Sequence, residues 1–118
     1  MGMTTILATV LNPADMTRSE QLEFTVDSGA GYSVIPRSLL ERLGIEPHTT
    51  KRFYLANGDG IDRQMGIAGF EYLNERTAAP VIFGEEGDAA LMGATTLEGF
   101  GFVLDPFRRE LRPMSMRL

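Results

Sequence analysis

Cysteine is absent from the 118 residues of this chain, and tryptophan is absent as well. Without cysteine, disulfides, thiolate metal ligands and cysteine nucleophiles are excluded. The sequence has one histidine, so histidine-based catalytic triads and zinc sites have little support. That residue, His48, follows Pro47 in a predicted loop, and we expect its side chain to be exposed.

Positive charge is also scarce, because 11 Lys and Arg against 16 Asp and Glu give a net charge of -5. Nucleic-acid binding needs a basic face, so this charge argues against a nucleic-acid partner. No stretch approaches the length of a membrane span, and the N-terminus lacks the segments of a secretory signal. We therefore expect a cytoplasmic protein with no membrane partner.

The rest of the composition is that of an ordinary globular domain. Hydrophobic residues make up 43% of the chain and charged residues 23%, which is typical of soluble proteins. A chain of 118 residues suits one domain, so residues 1–118 are predicted to form a single unit. The phenylalanines expected to pack in its core are Phe53, Phe70, Phe83, Phe100, Phe102 and Phe107.

Short apolar runs bounded by turn-forming residues predict strands along most of the chain. The predicted strands cover residues 4–11, 21–26, 33–35, 49–55, 61–72, 81–83, 89–92, 102–104 and 110–114. Residues 12–20 are predicted to be a turn or loop, and the first two strands to pair as a hairpin. Short helices are expected at residues 39–43 and 95–100, with Gly44 ending the first. The pattern predicts an all-β fold with one or two short helices.

A carboxylate stands between two strand-like segments near the start of the chain. Residues 24–26 are aromatic or β-branched, Asp27 follows at once, and the chain is apolar again from Val34. Burying a carboxylate between apolar strands is costly unless it has a partner or a chemical role. Asp27-Ser28-Gly29 also suits an ordinary turn, because Asp and Ser bond to nearby backbone and Gly allows unusual dihedrals.

The second half of the chain repeats this arrangement weakly. An apolar strand leads into Leu91-Met92-Gly93 and then a short helix, but no acid is present there. Asp27-Ser28-Gly29-Ala30, the hairpin signal at residues 57–60 and this second glycine turn occur in an order that resembles retropepsin-like aspartic proteases of the small cellular kind. The resemblance covers nearly the whole chain, and it implies the closed, barrel-like acid protease fold.

The resemblance implies that Asp27 is catalytic and forms half of a pair. Two adjacent carboxylates share one proton, so one acts as a base toward water while the other donates to the scissile carbonyl. The chain holds one such motif, which implies a homodimer with both Asp27 side chains on its two-fold axis. Its substrate would be a peptide or protein, hydrolysed without a metal or other cofactor.

Further site residues are implied by the same resemblance. Ser28, Gly29 and Ala30 would shape the active-site loop, with Ser28 bonding across the two-fold axis. An extended peptide would lie between the acids and a flap, and terminal strands at residues 4–10 and 110–114 are candidates for the subunit interface. The flap residues are Ala56, Asn57, Gly58, Asp59 and Gly60, and the second-half glycine turn is Leu91, Met92 and Gly93.

The chain departs from viral members of the family at two positions. Viral members carry an Asp two residues after the signature Gly and an Arg just after the second-half Gly, and these two pair. Here the positions hold Gly31 and Ala94, so both partners are missing together and no charge is left unpaired. This departure leaves open how tightly the dimer holds and how the substrate backbone is anchored.

Other candidate sites have less support in the sequence. Asp105 is a rival second carboxylate, but an Asp before Pro106 is typical of turns. Residues 57–62 lack the ligand spacing of a calcium loop, and the glycine pairs at 29–31 and 99–101 lack the third glycine of a dinucleotide fingerprint. Two other functions stay open: a catalytically silent dimeric module that binds peptides or scaffolds partners, and a monomeric structural adaptor.

Overall fold

A computed structural model describes residues 3–115 as a mostly β fold with two short helices. The helices are α1 (Arg37–Arg42) and α2 (Ala94–Phe100). No helix among residues 3–115 is long and apolar enough to cross a membrane. The strands are β1 (Thr5–Asn12), β2 (Asp15–Val26), β3 (Ser33–Pro36), β4 (Thr49–Tyr54), β5 (Gly60–Tyr72), β6 (Glu75–Gly84), β7 (Leu91–Met92), β8 (Phe102–Asp105) and β9 (Glu110–Pro113).

Six of the strands close into a ring. The main sheet has the order β1-β2-β7-β3-β6-β5-β4, and β1 pairs a second time with β5. This extra pairing joins the two sides of the sheet, while β4 stays outside the ring as a neighbour of β5. Strands β8 and β9 form a separate antiparallel hairpin. The arrangement confirms the all-β, barrel-like fold predicted from the sequence.

Two strands are longer than the sequence predicted. Residues 15–20 were expected to be loop, but they continue β2 and pair with β1 as far as Asn12↔Asp15. Their side chains are mostly exposed, so this part of β2 lacks the apolar alternation by which strands are recognised. Strand β6 begins at Glu75 because Leu73 and Asn74, both at positive φ, form a two-residue hairpin turn after β5.

The core lies inside the ring and under the two helices. Phe24, Phe70 and Phe83 are fully buried, and the Phe24 and Phe70 rings lie 5.8 Å apart. Leu39 and Leu40 of α1 and Leu43, which follows it, are also buried. Burial of such side chains is the main source of fold stability, each contributing about 1.5–3 kcal/mol.

One predicted core residue is not in the core. Phe107 is 95% exposed, so its prediction as a packed aromatic was wrong. It lies in the turn between β8 and β9, where the chain reverses outside the ring and no neighbouring strand covers it. Phe53, which was also predicted to be buried, is half-buried near the tip of the β4–β5 hairpin.

Candidate active site

Asp27 begins a tight loop immediately after the buried end of β2. Its backbone N–H donates to the Met92 carbonyl at 2.9 Å, which fixes the loop to β7. Its side-chain Oδ1 accepts from the Gly29 N–H at 3.0 Å, and its own carbonyl accepts from the Ala30 N–H at 3.1 Å. The side chain is exposed, so the loop holds the carboxylate in place while leaving it open to a reactant.

The second-half glycine turn packs directly against the Asp27 loop. The Ala94 N–H donates to the Ala30 carbonyl at 2.7 Å, and the Thr95 N–H donates to the Gly31 carbonyl at 3.0 Å. A Cβ at Gly93 would lie 2.6 Å from the carbonyl carbon and oxygen of Tyr32. Glycine is required at this position because the two loops approach backbone to backbone.

Two buried hydroxyls support this contact, and sequence reasoning missed them. Ser33 Oγ accepts from the Gly93 N–H at 3.0 Å and lies 2.6 Å from Thr96 Oγ1. Both residues are fully buried, and a buried polar group that is satisfied in this way fixes one arrangement of its neighbours. The sequence feature that could have revealed Ser33 is its position directly before the apolar pair Val34-Ile35.

The predicted flap is the exposed tip of the β4–β5 hairpin. Its turn is closed by the Leu55 N–H donating to the Asp59 carbonyl at 2.8 Å and by the Asp59 N–H donating to Asn57 Oδ1 at 2.9 Å. Gly58 has a φ of 92°, which suits glycine. Ala56 through Asp59 are exposed, and Gly60 is half-buried. The tip is therefore free to contact a molecule that lies beside the ring.

Strand β4, close to the tip of the hairpin, contacts the chain segment that leaves the Asp27 loop. The Phe53 and Tyr32 rings meet edge to face with centroids 6.4 Å apart, and the Lys51 ammonium lies 5.6 Å from the Tyr32 ring centroid. Tyr32 is five residues beyond Asp27 in the chain. This contact places the β4–β5 hairpin on the same side of the fold as the Asp27 loop.

Two grooves lie on either side of Leu91. The larger, of about 540 Å³, contains Asp27 at its wall and is lined mainly by apolar residues. The smaller, of about 330 Å³, lies between Phe53 and Ile61 of the flap strands and the loop at residues 87–89. Leu91 lines both grooves. An extended peptide that passes Leu91 would contact both the Asp27 carboxylate and strands β4 and β5.

Ion pairs hold the loop that borders the smaller groove. Arg63 on β5 pairs with Asp88 at 2.8 Å, and Arg37 on α1 pairs with Glu85 at 2.7 Å. The hydrogen bond from Arg63 lowers the pKa of Asp88, and the one from Arg37 lowers the pKa of Glu85. These pairs join the loop to the flap strand and to α1, so they fix the width of the groove.

The other candidate residues from the sequence, Asp105 and His48, lie at the end of β8 and in the loop before β4, away from Asp27 in the chain. Asp105 Oδ1 accepts from the Phe107 and Arg108 N–H groups at 3.1 and 3.2 Å, and these backbone bonds contribute to a lowered pKa. Asp105 therefore organises a turn, in agreement with the sequence. His48 is exposed. Among the described residues that line the larger groove, Asp27 is the one acid.

Sequence and structure comparisons identify the family of this fold and site. The family model for the gag-polyprotein putative aspartyl protease matches residues 16–99. No curated protein sequence matches the chain. The solved structure of EIAV protease in complex with the inhibitor HBY-793 has a TM-score of 0.59 and 14% identity, covering 82% of this chain and 86% of that one.

The simian foamy virus (mac) protease, solved in solution, has a TM-score of 0.56 and 19% identity, covering 80% of this chain and 91% of that one. At these identities the two structural matches establish the fold, and the match to the family model establishes the family. The residues matched by the family model include both the Asp27 loop and the second-half glycine turn. The chain belongs to the gag-polyprotein aspartyl protease family and has the retropepsin-like fold.

Proposed function

We propose that this protein is an aspartic endopeptidase that acts as a homodimer. The proposal depends on where the Asp27 side chain lies and on which groups surround it. Its carboxylate is exposed at the wall of a groove and is held by the Gly29 N–H. No second acid lines that groove among the described residues. Hydrolysis through an activated water requires a base and an acid together, and one carboxylate cannot perform both roles at once.

A second copy related by a two-fold axis would supply the missing carboxylate. Two Asp27 side chains at the axis would repel one another when both are charged, so the pair would hold one shared proton. The charged carboxylate would take a proton from a water molecule while that water attacks the scissile carbon. The protonated carboxyl would donate to the carbonyl oxygen, and the proton taken from water would then pass to the departing amine.

The substrate in this proposal is an extended peptide that lies along the grooves beside Leu91. Residues Ala56, Asn57, Gly58, Asp59 and Gly60 would cover it as a flap and pair with its backbone. Ser28, which is exposed next to Asp27, would bond across the two-fold axis and brace the two loops. Gly29, Ala30 and the turn Leu91, Met92 and Gly93 would hold the loop in shape.

The cellular setting is also part of the proposal. A chain without cysteine is compatible with a reducing compartment, and we propose that the enzyme is cytoplasmic. The acidic net charge supports a peptide or protein substrate over nucleic acid.

The test is digestion of a peptide library by the parent protein and by Asp27→Asn, from acidic to neutral pH. The substitution keeps the size of the side chain but removes its proton chemistry, so cleavage should fall about 1,000-fold or more. Glu23→Gln is the matched control, because Glu23 is an exposed acid on β2, the strand that leads into the Asp27 loop, and the cleavage rate of this variant should equal that of the parent.

Equal cleavage by the parent and Asp27→Asn would reject the proposal. Peptide binding without cleavage by either protein would instead support a catalytically silent dimeric module. Sedimentation distinguishes the protease and the silent module, which are both dimers, from a structural adaptor, which would remain a monomer at micromolar concentration.

A further inference from the structure

Strand β4 carries Lys51, which is the one lysine of the chain. Its ammonium lies 5.6 Å from the Tyr32 ring centroid, and the Phe53 ring meets the same tyrosine edge to face. Lys51 and Phe53 are two residues apart, so their side chains leave the strand on the same face. The contact with Tyr32 therefore holds the ammonium on the face of β4 that packs toward the segment after the Asp27 loop.

The cations next to Lys51 are neutralised, whereas Lys51 pairs with no carboxylate in the described part of the chain. Arg52 leaves the strand on the opposite face and pairs with Asp62 at 3.2 Å. Arg63, which lies opposite Lys51 on β5, pairs with Asp88 at 2.8 Å. Lys51 thus adds a positive charge to this face, although the chain as a whole has a net charge of -5.

The outer edge of β4 is available to an extended peptide. This strand is the last one in the order of the main sheet, so its second edge has no partner strand within the described residues. Phe53, on the same strand, lines the smaller groove. A peptide that pairs with β4 advances about 3.3 Å per residue and alternates its side chains. The side chain that meets Lys51 would therefore be about two residues from the one that fills the groove at Phe53.

We propose that Lys51 selects peptides with an acidic side chain at this outer position, two residues farther from the cleaved bond than the side chain in the smaller groove. The inference rests on the proposed function, because it takes the extended peptide beside Leu91 as the substrate. Lys51 meets the outer position because it is farther than Phe53 from the tip that would cover the cut. In the homodimer each subunit supplies one Lys51, so a substrate with an acid on both sides of the cut is favoured.

The size of the preference follows from the exposure of Lys51. Its side chain is exposed, and an exposed ion pair improves binding only about 3–5-fold. Two such contacts in a two-fold site give about 10–25-fold. A basic side chain at the outer position would meet a like charge and bind less well. Because most of the surface charge is acidic, an acidic peptide is attracted at Lys51 and repelled elsewhere, which also fixes its register.

Cleavage kinetics of a peptide series test the preference. The peptides carry glutamate, glutamine or lysine at the outer positions and are otherwise identical. For the parent protein, kcat/KM should decrease in that order. The difference should lie in KM, because this contact is remote from the reacting atoms and is the same in the ground and transition states. It should also narrow as the salt concentration rises, since exposed charges are screened.

Variants of Lys51 assign the preference to this side chain. Lys51→Gln should remove the difference between the glutamate and glutamine peptides, and Lys51→Glu should reverse the order. Arg52→Gln is the matched control, because Arg52 is the adjacent cation on the opposite face of β4, and it should keep the order of the parent. If Lys51 only supports Tyr32, Lys51→Gln will slow all three peptides by the same factor, which would overturn the inference.

Cross-linking separates this inference from the proposed function. A carbodiimide joins a carboxylate to an amine, and Lys51 provides the only side-chain amine of the chain. In Asp27→Asn, the amidated glutamate peptide should therefore be cross-linked to Lys51. The glutamine peptide, or Lys51→Arg in the same background, should give no product at this position. Absence of the product at Lys51 would contradict the inference.

The two sets of measurements fail in different ways. Cleavage by the parent without any preference among the three peptides would overturn the role of Lys51 and leave the proposed function standing. Cross-linking of the glutamate peptide to Lys51, with no cleavage by the parent, would reject the proposed function and support acidic peptides as the ligands of this edge.

Discussion

Substitution of Gly93 by alanine should destabilise the fold at the Asp27 loop. The added Cβ would lie 2.6 Å from the Tyr32 carbonyl group and 2.9 Å from the Ala30 oxygen, and both neighbours are backbone. Forcing the loops apart costs about 1–3 kcal/mol for the overpacking. It also weakens the 2.7 Å bond from Ala94 to Ala30 and the 2.9 Å bond from Asp27 to Met92, each of which is worth about 1 kcal/mol.

The expected loss is therefore about 3–5 kcal/mol in the free energy of unfolding. For a domain of this size it lowers the Tm by about 12–20 °C. Calorimetry and urea unfolding would measure both quantities. Because Asp27 depends on one of the affected bonds, the proposed peptide cleavage should fall as well in any protein that remains folded.

Gly31 provides a matched control in the same pair of loops. A Cβ at Gly31 meets nothing within 4 Å, and its φ is not in the left-handed region. Gly31→Ala should therefore leave stability within about 1 kcal/mol of the parent, with a small gain expected from the unfolded state. If Gly93→Ala were as stable as Gly31→Ala, the close contact between the two loops would be refuted.

The remaining predictions concern groups near the same loops. Ser33→Ala leaves the buried Gly93 N–H without its acceptor and should cost about 1–3 kcal/mol in urea unfolding; adding Thr96→Val to it should cost less than the sum of the two single changes, and strict additivity would argue against a shared bond. Asp88→Asn should cost about 1–3 kcal/mol at neutral pH, because it removes the carboxylate that Arg63 binds. Arg63 lowers the pKa of Asp88 below its ordinary 3.8, so this contribution is present above that value and is lost as the pH falls through the lowered pKa. Unfolding curves of parent and Asp88→Asn should therefore converge in acid, and a gap that stays constant would contradict the assignment.

The positions of most strands along the chain and the place of the acid loop could be predicted from the sequence because they leave local signals. Asp27, the hairpin tip and Gly93 each interrupt an apolar run with a residue that has a specific backbone or chemical property. The short helices were also predictable, since Leu39, Leu40 and Leu43 form one apolar face. These features depend on neighbours within a few residues.

What the sequence did not reveal depends on contacts between distant segments. A closed fold was expected, but the pairing of β1 with β5 that closes it, and the bond between Ser33 and Thr96, join residues far apart in the chain. The extension of β2 to Asp15 was missed because exposed polar residues form strands when a partner strand supplies the pairing. Phe107 was misplaced because hydrophobicity alone does not distinguish a core residue from one that projects outward.

The position of β7 has a consequence for how the protein folds. This strand of two residues lies between β2 and β3, which come much earlier in the chain, and the bond between Ser33 and Thr96 spans 63 positions. Closing so long a segment is slow, because its entropy is lost before the contacts that repay it are formed. During synthesis the segment around Asp27 lacks its backbone partners on β7 and α2 until residues 90–95 have emerged and docked. A nascent chain therefore carries the acid on a loop that is not yet fixed to the rest of the fold, and the catalysis proposed for Asp27 would arise only in the last steps of folding.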